Sequence, residues 1–159
     1  MIFKQMKRME KVRRIIIHHS ESEFGSAKQF HDWHRSNDWA GIGYHYVICN
    51  GDGGDDGEKQ IGRLTFWQGA HCRGNNSDSV GVVLVGSFMD KYPTDLQMNS
   101  LIELLATECF IHKLDPTGDY ALKPGKIISA HRDWNSTDCP GDKLYSLIAD
   151  VRKEVGLKL

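Results

Sequence analysis

The sequence predicts an α/β fold: a single domain with a mixed central β-sheet of about five strands flanked by helices. Three observations predict it. Short apolar or β-branched runs alternate with longer stretches of helical periodicity, as in sheets covered by helices. Two of those runs, Ile15–Ile17 within residues 13–19 and residues 80–85, are apolar at consecutive positions, as in strands buried on both faces. The chain's 159 residues, 40% hydrophobic and 26% charged, suit one domain with its own core.

The first strand spans residues 13–19, around Ile15, Ile16 and Ile17. Ser26 followed by Gln29 fits a capping box and opens a helix over 27–37. Residues 44–49 form the next strand, which ends in the Gly- and Asp-rich stretch 50–57. Residues 60–64 return as the other arm of that hairpin. Segment 52–58 is longer than a tight hairpin turn and is read as a loop. After the buried strand 80–85, Thr94 and Gln97 form a second capping box. They open a long helix with Met98, Leu101, Leu105 and Cys109 along one face. Residues 127–130 form a short strand. The last helix follows Pro140-Gly141-Asp142 and carries Leu144, Leu147, Ile148, Val151 and Val155 inward.

Composition bounds the function. A net charge of -1 gives no reason to expect nucleic-acid binding. No apolar stretch has the length of a membrane span. The basic start leads only to Val12 and three isoleucines, which is not the pattern of a signal peptide, so the chain is expected to stay in the cytoplasm of its producer. Residues 1–12 form a basic N-terminal tail, with Lys4, Lys7, Arg8 and Lys11, expected to be solvated; residues 13–159 form the domain. The four cysteines show no CxxC spacing and are expected as free thiols.

Three residues carry metal chemistry. His18 follows the isoleucines, His131 follows the strand 127–130, and Cys139 comes after seven further residues, just before the last helix. Helix-start amides and the positive end of the helix dipole favour a thiolate there. Two imidazoles and one thiolate leave a tetrahedral zinc ion one ligand short, and catalytic zinc sites keep that position for water. Taken singly, each is an ordinary polar residue at a loop edge. His19 points to the other side of the strand, His31 and His34 fit an exposed helix, and His112 reads as a helix-terminal surface residue. Of Trp33, Trp39, Trp67 and Trp134, at least two are expected in core packing.

Ile17-His18-His19-Ser20, Gly43-Tyr44-His45-Tyr46, Gly69-Ala70-His71, Asn76-x-x-Ser79-Val80-Gly81-Val82 and His131-Arg132-Asp133 with Thr137-Asp138-Cys139-Pro140-Gly141 occur in that order. Together they resemble the type-2 N-acetylmuramoyl-L-alanine amidase family, which includes amidase-type phage lysozymes and peptidoglycan recognition proteins. The resemblance implies one zinc ion on His18, His131 and Cys139. It also implies a Tyr44 beside the zinc water and the substrate carbonyl, and a groove bordered by His71 and Asn76. Thr137 stands where some members have lysine, and can offer the oxyanion only a neutral hydrogen bond. Val83 stands where some bacterial members carry a glutamate, which aligns the chain with the phage and recognition-protein branch.

The implied reaction is hydrolysis of the amide between N-acetylmuramic acid and L-alanine in peptidoglycan by a monomeric phage or prophage endolysin that reaches the wall after release. Two alternatives are a peptidoglycan-binding protein without catalysis and a cytosolic amidase that recycles muropeptides. Some phage relatives also bind the phage RNA polymerase. The basic tail could serve such a contact, but no specific residue here points to one.

Overall fold

Arg14–His19 (β1) and Ser79–Leu84 (β4) are buried at every position, because the sheet is covered on both faces. The computed structural model describes residues 5–159, so Lys4 lies outside the described residues. Among them, β2 (Tyr46–Ile48), β3 (Lys59–Ile61) and β5 (Ile128–Ala130) complete a five-stranded sheet of order β3-β2-β4-β1-β5. β2, β4, β1 and β5 are parallel and β3 is an antiparallel edge, so the sheet is mixed as the sequence predicts. Three α-helices accompany it: α1 (Ala27–Ser36), α2 (Asp95–His112) and α3 (Asp142–Lys158).

Alternation along the strands divides the sheet into two faces. Ile15, Ile17, Ile48, Val80, Val82, Leu84 and Ile128 point to one, where they pack with residues of α2 and α3 such as Leu101, Leu105, Leu144 and Ile148. The other face carries a smaller cluster of Val47, Cys49, Val83 and Val85 with Phe30 of α1. It also carries the polar residues Arg14, His18 and Ser79, which are equally buried.

The caps form at the expected positions. Gln29 donates its amide to Ser26 Oγ (3.1 Å), and Thr94 and Gln97 make a reciprocal capping box. The Gln97 side chain also donates to the carbonyls of Val85 (2.9 Å) and Ile48 (3.3 Å), which ties the start of α2 to the ends of β4 and β2. The 52–58 loop is anchored at the same place: Thr94 Oγ1 donates to Asp56 Oδ1 (2.6 Å).

Three details differ from the sequence reading. Met98 and Leu147 are only partly buried, whereas Glu108 of α2 is buried and accepts a 2.6 Å bond from Tyr46 Oη. His112 pairs with that carboxylate at 3.1 Å instead of standing free at the helix end. The basic tail is tied down through its backbone from Lys7 onward, while the side chains of Lys7, Arg8 and Lys11 stay exposed. Lys7 accepts from the Gln68 amide (2.7 Å) and Met9 donates to the Phe66 carbonyl (2.8 Å). The reason is that Met9 and Val12 bury their apolar side chains in the core on the α2–α3 side, while Glu10 and Lys11 between them stay in solvent.

Candidate metal centre

β1 sets the first residue of the site. His18 is its penultimate residue and belongs to the face covered by α1; in register it lies opposite Val83. The end of β5 sets the second, since Ala130 runs directly into a short 3₁₀ turn, His131–Asp133. The Ala130 amide donates to Asp133 Oδ2 (2.8 Å), which closes that turn. The packing of α3 on Phe88 sets the third. Gly141, at φ 91°, lies so close to Phe88 that a Cβ would sit 2.5 Å from its carbonyl oxygen, and the Lys143 amide donates to that oxygen (2.9 Å). Glycine is therefore required, and the approach delivers Cys139 to the end of β1.

These three side chains converge. His18 Nδ1 lies 3.2 Å from His131 Nδ1 and 3.7 Å from Cys139 Sγ. One ligand atom from each of the three lies within 4.8 Å of the others. His131 turns its Nε2 to Asn135 Oδ1 (3.0 Å), while the Asn135 amide nitrogen donates to the carbonyls of Arg73 and Trp134. That fixes Oδ1 as the acceptor, so His131 carries its proton on Nε2 and offers Nδ1 to the centre. Cys139 Sγ accepts from the His19 amide (3.4 Å). That amide, not the helix-start amides the sequence suggested, is its backbone donor, because Gly141 and Lys143 direct their amides to Asp138 and Phe88.

The electrostatics suit a cation. Burial, reinforced by the neighbouring imidazoles, keeps His18 well below its ordinary pKa, and burial lowers His131 also. Both are thus neutral and able to ligate. Burial pushes the Cys139 thiol up to about 12, and a divalent cation would reverse that by favouring the thiolate. Two neutral imidazoles and a thiol with a single amide donor are the donor set of an open zinc site, so the residues fit the ion.

The other expected residues lie around this trio. The Tyr44 ring stands edge-on to His18, with centroids 5.3 Å apart. Burial, with Cys139 and Glu21 nearby, raises its pKa, so its hydroxyl stays protonated. Thr137 Oγ1 accepts from the Cys139 amide (3.2 Å) and keeps its own proton to donate. His71 Nδ1 is 2.8 Å from His18 Nε2, and His71 Nε2 faces Ser79. Asn76 Oδ1 accepts from the amides of His71 (3.0 Å) and Cys72 (2.9 Å) and so shapes their loop. The three ligand residues gather at the ends of β1 and β5, while the His71 ring lies lower on the sheet face, against Gly81, which pairs with Ile16 of β1.

A cavity of about 620 Å³ adjoins the centre through His71 and His131, and its walls include Trp39, Arg63, Asn76 and the segment Gln5, Met6 and Lys7. The remaining histidines have structural roles. His31 and His34 accept from the amides of Ile42 and Gly43, and His45 links Gly81 to Trp67. His19 accepts from the Phe88 amide (3.2 Å), as expected of a hydrogen-bonded neighbour. Trp134 stacks on Arg14 and donates to Ser129.

Sequence reasoning missed two groups. Arg14 is 2% exposed, pairs with Asp78 (2.9 Å), bonds Asn75 Oδ1 (3.1 Å) and lies between the rings of Tyr120 and Trp134. The available signal was only that Arg14 directly precedes the three isoleucines of a buried strand. Asn135 was legible only as the residue four after His131.

Comparison with known proteins follows the same lines. Residues 8–142 match the family model described as N-acetylmuramoyl-L-alanine amidase. The human N-acetylmuramoyl-L-alanine amidase is 34% identical over 110 residues, covering 69% of this chain and 17% of that protein. The chain spans only 16–21% of the length of the mammalian amidases it matches. The endolysin of Escherichia phage T7 is 31% identical over 144 residues, 86% of this chain and 85% of the endolysin. Among solved structures, the amidase LysC from Clostridium intestinale shares the fold at a TM-score of 0.81 and 24% identity, over 96% of this chain and 91% of that one. Drosophila PGRP-LB superposes with a TM-score of 0.76 at 26% identity, over 94% and 86%. The chain belongs to the type-2 N-acetylmuramoyl-L-alanine amidase family.

Proposed function

We propose that the protein is a zinc-dependent N-acetylmuramoyl-L-alanine amidase that cleaves the bond between N-acetylmuramic acid and L-alanine in peptidoglycan, as an endolysin. The observation that carries this reading is the approach of His18, His131 and Cys139 to within 4.8 Å, with ligand atoms from three separate chain segments. Membership of the amidase family and likeness to a phage endolysin along most of both chains support it.

His18, His131 and Cys139 would hold the ion. When bound, it supplies Lewis acidity to a water and to the scissile carbonyl, lowering the water's pKa from 15.7 toward about 7. Tyr44, protonated beside His18, donates a hydrogen bond to the developing oxyanion, and the proton that the attacking water gives up goes to the leaving amine. Thr137, whose lone pair already takes the Cys139 amide, has its proton free for the same oxyanion. The cavity next to His131 takes the peptide stem, and Asn76 keeps the loop at its edge in shape.

The test is to purify the protein, measure bound zinc and analyse the products from peptidoglycan. One zinc per chain and peptides with a free L-alanine amino end are expected; new reducing sugar ends would instead mark a glycosidase. Cys139→Ser is expected to remove activity and lower the zinc content with the fold retained. Binding to peptidoglycan without cleavage in the zinc-loaded protein would leave a recognition protein. Activity on intact sacculi compared with soluble muropeptides separates a lytic from a recycling role.

A further inference from the structure

We propose that His71 is a positioning residue that holds His18 in the tautomer with Nδ1 bare, so that His18 meets the ion through Nδ1. The proposal rests on the zinc reading above and assigns His71 a role other than a contact to the substrate.

The tautomers follow from one fixed end of a hydrogen-bond chain. Ser79 Oγ lies 2.6 Å from the Asn75 carbonyl, which can only accept, so the Ser79 hydroxyl proton is directed there. His71 Nε2 faces that same Oγ at 3.2 Å and the Ser79 carbonyl at 3.3 Å. Both oxygens are then acceptors, so His71 carries its proton on Nε2. Its Nδ1 is bare and accepts from His18 Nε2 across 2.8 Å. With that nitrogen protonated, the lone pair of His18 is on Nδ1, the atom 3.2 Å from His131 Nδ1 and 3.7 Å from Cys139 Sγ. Asn135 performs the same task for His131, so each imidazole has its own acceptor behind it.

The surroundings are built to hold the His71 ring. A Cβ at Gly81 would sit 2.5 Å from His71 Cγ, and one at Gly69 would sit 2.6 Å from Cδ2, so two glycines make the slot the ring occupies. Asn76 Oδ1 holds the His71 amide, and Arg14 bonds both Asn75 and Asp78 at the far end of the loop. Both ring nitrogens are engaged internally, which leaves neither for a substrate.

Two measurements test this. In metal-free protein, nitrogen-15 NMR of the histidine side chains is expected to show His18 protonated at Nε2 and His71 at Nε2; a proton on Nδ1 of His18 overturns the proposal. Zinc affinity is then measured by chelator competition without substrate. His71→Leu is expected to weaken it by about 10–100-fold. His71→Asn, whose Oδ1 stands where Nδ1 stood and can still accept from His18, is expected to recover most of the loss. Unchanged zinc affinity in a folded His71→Leu protein overturns the proposal, and a His71→Leu chain that fails to fold leaves the NMR result to decide. A wild-type protein that binds no zinc would sink the metal reading instead, and the NMR pattern would still report on the His18–His71 pair.

Discussion

On one side of the sheet, Ile15, Ile17, Val80, Val82 and Leu84 meet α2 and α3 through hydrocarbon. On the other, Arg14, His18 and Ser79 lie just as deep, with hydrogen bonds and ion pairs where the first side has close-packed methyl groups. Burial alone therefore does not distinguish them; what differs is how the buried atoms are satisfied. The hydrocarbon side loses stability in proportion to the atoms removed. The polar side is a linked set of donors and acceptors, in which a lost partner misdirects the next group along. Stability should thus reside mainly on the first side and chemistry on the second, and four experiments probe that division.

The widest range of effect belongs to Leu105→Ala, which opens a hole under α2 and is expected to cost about 2–5 kcal/mol of unfolding free energy. Urea titration measures it. Zinc affinity should not change, and a parallel loss of affinity would show that the two sides act as one unit. Tyr44→Phe keeps the ring against His18 and removes only the hydroxyl. Its kcat should fall about a hundred- to a thousandfold, with the urea midpoint nearly unmoved.

Acid tests the polar side through His45. Its Nδ1 accepts from the Gly81 amide and its Nε2 donates to Trp67, so a proton added to Nδ1 breaks the first bond. Burial lowers its pKa from 6.5 to about 4. Because the folded value lies below the unfolded one, the stabilisation is complete above pH 6.5 and is lost as pH falls toward 4, in total by about 3 kcal/mol. Urea midpoints of metal-free protein across that window should show the loss, and His45→Gln should flatten it. The smallest effect is that of Thr137→Val. It removes one neutral donor worth about 1 kcal/mol, together with the acceptor of the Cys139 amide, and so should lower kcat by roughly tenfold.

The same division explains what the sequence reveals. β1 and β4 are readable because apolar residues at consecutive positions mean burial on both faces. The packed part of the N-terminal segment is not, since Met9 and Val12 are isolated between basic residues and local charge dominates the pattern. Glu108 escapes because a carboxylate within an apolar stripe ordinarily points outward; only its pairing with Tyr46 brings it in. At the site, His18, His131 and Cys139 are legible from residue type and placement after strands and before a helix. The contact of His71 with His18 is not, because it depends on Gly81 lacking a side chain on the neighbouring strand, a relation through space with no periodic signature.

The direction of α3 has a practical consequence. It starts three residues after Cys139 and continues for 17 residues, about 25 Å at 1.5 Å per residue. A fluorophore or surface tether attached at Leu159 would therefore be held away from the cleft by a rigid spacer. A photo-crosslinker placed at Met6, which lines the cavity and is 38% exposed, would instead label whatever enters it.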